Sequence, residues 1–187
     1  MDVLLWPTEA MTAMAFNREK FKRLVHYVIW RAGKRDWFGA VKLNKVLWFS
    51  DTEAFAHTGE SITGAAYTRQ QFGPVPKAIM PIRSELEREG KIKITRQGKL
   101  DRFTPLEKPD TRSFTTTETA IVEYWIEHIA TYETAGTISA KSHDYAWQIA
   151  SMGEPLPMTA SLAVRLRAPN DPEMDWAKET AAKLGLI

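Results

Sequence analysis

The pentapeptide Phe72-Gly73-Pro74-Val75-Pro76 constrains this chain more than any other stretch. Each proline fixes its own φ and disfavours helix at the residue before it, so Gly73 and Val75 are driven to extended or turn conformations. The pentapeptide therefore reads as a rigid non-helical corner with separate elements on either side. Upstream, a helix from about Val41 to Ala56 carries Leu43, Val46, Leu47, Phe49, Ala54 and Phe55. It is apolar almost all round, the pattern of a central buried helix. The connection from Gly59 to Gln71 has small and β-branched residues and room for a short helix. Downstream, Ile79, Ile82 and Leu86 form one buried stripe, and Gly90 stands at the C-terminal stop. Pro81 fits only a first helical turn, so this helix starts between Ala78 and Met80 or kinks.

The remaining elements follow from caps and periodicity. Asn17 caps a helix to about Ala32, with Phe21, Leu24, Val25 and Val28 on one face and Gly33 as the stop. Lys91 to Thr104 alternates at Ile92 and Ile94 and turns at Arg96-Gln97-Gly98-Lys99, which predicts a β-hairpin. Pro105 to Phe114 reads as a loop. Thr115-Thr116-Thr117-Glu118 is a capping box for a helix to about Tyr132. Thr137 or Ser139 caps the next helix, which carries Ala140, His143, Ala146 and Trp147 and stops at Gly153. Beyond the Pro155-Leu156-Pro157 turn, Thr159 to Arg167 has no firm pattern, and Asn170-Asp171-Pro172 caps a short C-terminal helix. The expected fold class is mainly α: a compact single-domain helical bundle with one small central β-hairpin.

Composition excludes several classes of chemistry. With 187 residues, 44% of them apolar, the chain is long enough for a single buried core. It has no cysteine, hence no disulfide, thiolate nucleophile or cysteine-type zinc site, which suits a cytoplasmic protein. No apolar run reaches the roughly 20 residues a membrane helix needs, so no membrane partner is expected. There is no GxxxxGK[ST], GxGxxG or HExxH, so neither a cofactor nor a metal is expected. His26, His57, His128 and His143 fall on four different elements and read as packing or surface histidines. Ser142-His143-Asp144 holds the residue types of a catalytic triad, but neighbouring helical positions point about 100° apart and cannot form one relay. Glu85, Glu87 and Glu89 read as solvated charge. No enzyme is expected.

The net charge of +2 conceals an uneven distribution. Between Arg18 and Arg35 there are seven basic residues and one acidic, and between Glu107 and Glu154 eight acidic and three basic. Such polarity either steers a charged partner or simply marks solvated helix faces. A helix followed by a basic hairpin is also the layout of a winged helix, with Lys91, Lys93, Arg96, Lys99 and Arg102 lining a wing that would contact nucleic acid. Glu85, Glu87 and Glu89 on the preceding helix oppose that reading, and a solvated hairpin is the alternative.

Several segments carry a resemblance to a known family. Lys42-Leu43-Asn44-Lys45-Val46-Leu47-Trp48-Phe49-Ser50-Asp51 resembles the pattern KLxKLLYFAD. Ser61-Ile62-Thr63-Gly64, Tyr67 and Phe72-Gly73-Pro74-Val75-Pro76 resemble a hydrophobic-T/S-G, Y, YGPVP segment. Ser142-His143 with Trp147 is similar to a later SH…W helix. In this order and spacing they resemble the SocA-like, or Panacea-domain, antitoxins over about Phe16 to Pro157. Residues 1–15 then form an N-terminal extension, 16–157 the antitoxin domain, and 158–187 a helical extension packed on it. Trp48 and Phe72 stand where the family pattern has tyrosine.

The resemblance implies a bacterial antitoxin that neutralises a cognate protein toxin by direct contact. For the SocA branch it also implies a proteolytic adaptor that delivers the toxin to the ClpXP protease. The toxins paired with this family are diverse, so the domain does not identify the toxin. Candidate toxin-binding residues are Trp37, Phe38, Tyr67 and Phe72 as exposed anchors, with Arg69, Pro74 and Lys77 around the Gly-Pro corner. Trp37 and Phe72 read equally as interface or as core; Trp125 and Trp147 read as core.

Overall fold

The computed structural model describes residues 15–98, 100–165 and 171–185. Lys99, Asn170 and nearly all of the expected N-terminal extension lie outside these residues. Helix α1 spans Arg18–Ala32, and the Asn17 side chain caps it by accepting from the Lys20 N–H at 2.9 Å. Helix α2, Ala40–Thr58, ends at Gly59, whose left-handed φ of 78° lets its N–H close onto the Phe55 carbonyl at 2.8 Å. Helix α3, Ile79–Arg88, holds Pro81 in its first turn, as the sequence requires. The expected hairpin pairs β3, Ile92–Gln97, with β4, Leu100–Pro105. Helix α4, Thr116–Tyr132, opens on the expected Thr115–Glu118 capping box.

Helix α2 is the central element. Its Leu43, Val46, Leu47 and Trp48 are completely buried. They pack against Phe21, Leu24, Val25, Val28 and Ile29 of α1 and against Val122, Ile126 and Ile129 of α4. Ile79, Ile82 and Leu86 of α3 and Phe103 of β4 close the core. The mainly α class holds, with two departures.

First, the connection after α2 contains no helix. Tyr67–Gln70 forms β1 and pairs antiparallel with β2, Gly73–Pro76, in the register Tyr67↔Pro76 to Gln70↔Gly73. The Gly-Pro segment is therefore the return strand of a second hairpin. Proline's fixed φ is compatible with extended backbone, and its missing N–H is tolerated where no ladder bond is needed. Second, the helix expected to run to Gly153 is divided. The Thr134 side chain caps α5, Ala135–Lys141, and the Asp144 side chain caps α6, Tyr145–Ile149, by accepting from the Trp147 N–H at 3.0 Å. Ser142-His143-Asp144 is thus the break between two helices. A 3-10 helix over Met158–Arg165 packs on α6 and α2, and α7 spans Asp171–Lys183.

The polarised charge resolves into contacts between helices. Lys20 binds Glu118 at 2.6 Å and Arg31 binds Glu123 at 2.6 Å, both from α1 to α4, and Arg35, just past the end of α1, binds Glu127 of α4 at 2.5 Å. Lys22 reaches Glu85 and Glu89 at 2.5 Å, and Arg18 also binds Glu85. Glu87 accepts the Ile94 N–H at 2.8 Å. Glu85, Glu87 and Glu89, expected to be solvated charge, therefore anchor α1 and β3. Among the described residues, no helix is long and apolar enough to cross a membrane.

Candidate functional site

Helix α2 is apolar on nearly every side, so its lysines have no solvent face to occupy. Lys42 and Lys45 are 4% and 1% exposed. Burial pushes the Lys45 ammonium down to about 7, against an opposing pull from Asp144. Its Nζ donates to the Pro74 carbonyl at 3.1 Å. Three residues on, the Trp48 Nε1–H donates to Asp144 Oδ2 at 3.2 Å, and the indole packs edge-on against Tyr67 at 5.0 Å. At the position where the family pattern has tyrosine, an indole N–H thus supplies the donor. One turn further, the fully buried Asp51 accepts from the Tyr67 hydroxyl at 2.6 Å and the Ile62 N–H at 3.0 Å. Burial raises the Asp51 carboxyl to about 6, with both hydrogen bonds opposing.

These groups hold the β1–β2 hairpin by its carbonyls. Trp147 Nε1 of α6 donates to the Gln70 carbonyl at 3.0 Å, and Ser139 Oγ of α5 donates to the Phe72 carbonyl at 2.7 Å. Lys45 of α2 takes the third alternate carbonyl, that of Pro74. Gly73 lies between them with φ 96°, and a Cβ there would collide with Ser142 Oγ and Lys45 Nζ. His143 stacks on Trp147 at 3.8 Å, and the Arg69 guanidinium lies over the same ring at 3.8 Å. The resembling segments are therefore one buried polar seam. Its product is a rigid hairpin tip that presents Phe72, which is 59% exposed.

The candidate anchors separate accordingly. Trp37 is 78% exposed and, like Phe72, available at the surface; Lys77 is exposed as well. Phe38 and Tyr67 are each 1% exposed. This corrects their reading as exposed anchors: Phe38 turns inward between α1 and α2, and Tyr67 is fixed by Asp51. Pro74 is buried over Lys45. Arg69 is half-buried, donating to the Ala150 carbonyl at 2.5 Å beneath the hairpin. Sequence reasoning missed Lys45, Asp51, Ser139 and Asp144. The available signal was the placement of Lys42 and Lys45 in a helix without a polar face.

The cations of the β3–β4 hairpin are largely engaged. Lys91 binds Glu89 at 2.9 Å, Arg102 binds Asp36 at 2.9 Å, and Arg96 reaches Asp101 at 4.0 Å. Lys93 is exposed, and Lys99 lies outside the described residues.

A family model described as "Antitoxin SocA-like, Panacea domain" matches residues 43–148, more than half of the chain. The matched span includes the seam from Lys45 to Trp147. No curated protein and no solved structure matches the chain.

Proposed function

Because the chain belongs to the SocA-like antitoxin family and carries its Panacea domain, we propose that it neutralises a cognate protein toxin by direct contact through the β1–β2 tip. The observation that carries this reading is the contrast between a buried, tightly bonded hairpin base and a half-exposed aromatic at its apex. A backbone already held in place has little entropy left to lose on binding, which favours it as the support of an interface anchor. Delivery extends the reading: the bound toxin is passed to the ClpXP protease, as in SocA-type adaptors.

The test is a tagged pull-down from the native host, with and without active ClpXP, identified by mass spectrometry. One small protein that co-purifies and accumulates without ClpXP is the expected result. A partner indifferent to the protease leaves a sequestering antitoxin without the adaptor step. Recovery of DNA alone would overturn both. With the partner in hand, Phe72→Ala is expected to weaken the complex by about 1–3 kcal/mol while the circular dichroism spectrum and melting temperature hold. Unchanged affinity would remove the tip from the interface.

A further inference from the structure

Trp37 is the one non-glycine residue with positive φ, 61°, among the described residues, and it is a bulky aromatic. That conformation is unfavourable for any residue with a Cβ and persists only where the surroundings impose it. The strain does not serve the core, because the indole is 78% exposed. It stands at the lip of a groove of about 440 Å³, walled by Val41, Leu100 and Ala135. At Gly39 β4 comes close to the start of α2: a Cβ there would meet the tip of the Leu100 side chain, which would have to shift.

The groove's charged lining is predominantly basic. Arg96 is its exposed cation, 78% exposed with its nearest carboxylate 4.0 Å away, while Lys42 is buried beneath. The remaining charged group, Asp101, is held by Arg83 at 2.6 Å. Helix α5 runs between the groove and the hairpin tip. Ala135 lies at the groove's edge, and Ser139, one turn along α5, holds the Phe72 carbonyl. Residues four apart share a helix face and lie about 6 Å apart along the axis.

We infer that the Trp37 groove is a second docking point on the same face as Phe72, and that it takes an acidic segment of the partner protein bearing apolar anchors. This rests on the reading that the partner is a protein, and it specifies that partner's chemistry. Apolar side chains of the segment fill the space between Trp37, Val41 and Leu100. Its carboxylates meet Arg96 at the rim.

The full-length chain is titrated into a short fluorescein-labelled peptide of glutamates alternating with leucine and phenylalanine, read by anisotropy. A counterpart with lysine for every glutamate and a labelled single-stranded oligodeoxynucleotide run alongside. The acidic peptide is expected to bind at least about tenfold more tightly than the lysine peptide. Trp37→Gly is expected to weaken it roughly tenfold without lowering the melting temperature, because glycine accepts the left-handed φ. Arg96→Glu is expected to reverse the preference between the peptides. Equal affinity for both peptides, tighter binding of the oligonucleotide, or an unaffected Trp37→Gly variant would each overturn the inference. Because the assay uses no toxin, its failure alongside a successful pull-down removes this groove and leaves the antitoxin reading standing.

Discussion

At Gly73 two demands coincide: a left-handed φ of 96° and a backbone passing so close to Lys45 and Ser142 that no Cβ fits. Gly73→Ala is expected to cost about 2–5 kcal/mol, strain and overpacking together, measured by urea unfolding. Lys45 beside it gives an unusual pH dependence. Its folded pKa, about 7, lies below its ordinary 10.5, so between those values the unfolded chain binds more protons and stability rises with pH. Asp51 acts in the opposite sense: its folded pKa, about 6, lies above 3.8, so its contribution falls as pH rises across that interval. Unfolding experiments from about pH 7 to 9.5 are expected to show a climb approaching 1.4 kcal/mol per pH unit at most. Lys45→Met should flatten it; a climb that survives the substitution would assign it to another group. None of this was legible from residue type, because lysine is ordinarily solvated. It becomes legible only when Lys42 and Lys45 are placed on a helix whose every face is occupied.

The elements with local signals were read correctly from sequence, and those set by distant contacts were not. The Asn17 cap, the Thr115–Glu118 box and the turn after Gln97 depend on a few neighbouring residues, which fixed α1, α4 and the β3–β4 hairpin. β1 and β2 are four residues each, too short to show alternation, and two prolines deprive β2 of strand propensity. What makes them strands is donation from α2, α5 and α6 to Gln70, Phe72 and Pro74, which lie up to 77 positions from their donors. Trp147→Phe retains the aromatic ring and deletes one donation. It is expected to cost about 1 kcal/mol and to accelerate amide hydrogen exchange in β1 and β2 ahead of α1 and α4. Uniform acceleration throughout the molecule would show that the hairpin opens only with global unfolding.

On the scale of the molecule, charge polarity that suggested a steering surface instead joins α1 to α4 and α3. The Arg31–Glu123 pair is partly exposed, and Tyr27 also donates to Glu123. Each single reversal, Arg31→Glu or Glu123→Arg, places like charges together, and the double reversal should recover about 0.5–1 kcal/mol of the combined loss in a double-mutant cycle. Perfect additivity would mean the pair contributes nothing. The partner-facing surface is what remains after these internal pairs are removed from the count, and net charge along the chain cannot reveal it. The hairpin above the seam also governs how one molecule meets another. Pro74 and Pro76 offer no N–H to a neighbouring strand, while Ser139 and Lys45 occupy the Phe72 and Pro74 carbonyls. On the other side, β1 is covered by residues 153–156, through Arg69 N–H to the Glu154 carbonyl and Leu156 N–H to the Tyr67 carbonyl, both at 2.9 Å. Both margins of this small sheet are thus closed to strand addition. A free molecule cannot polymerise through it, and any protein that docks there must do so by side chains rather than by an added strand.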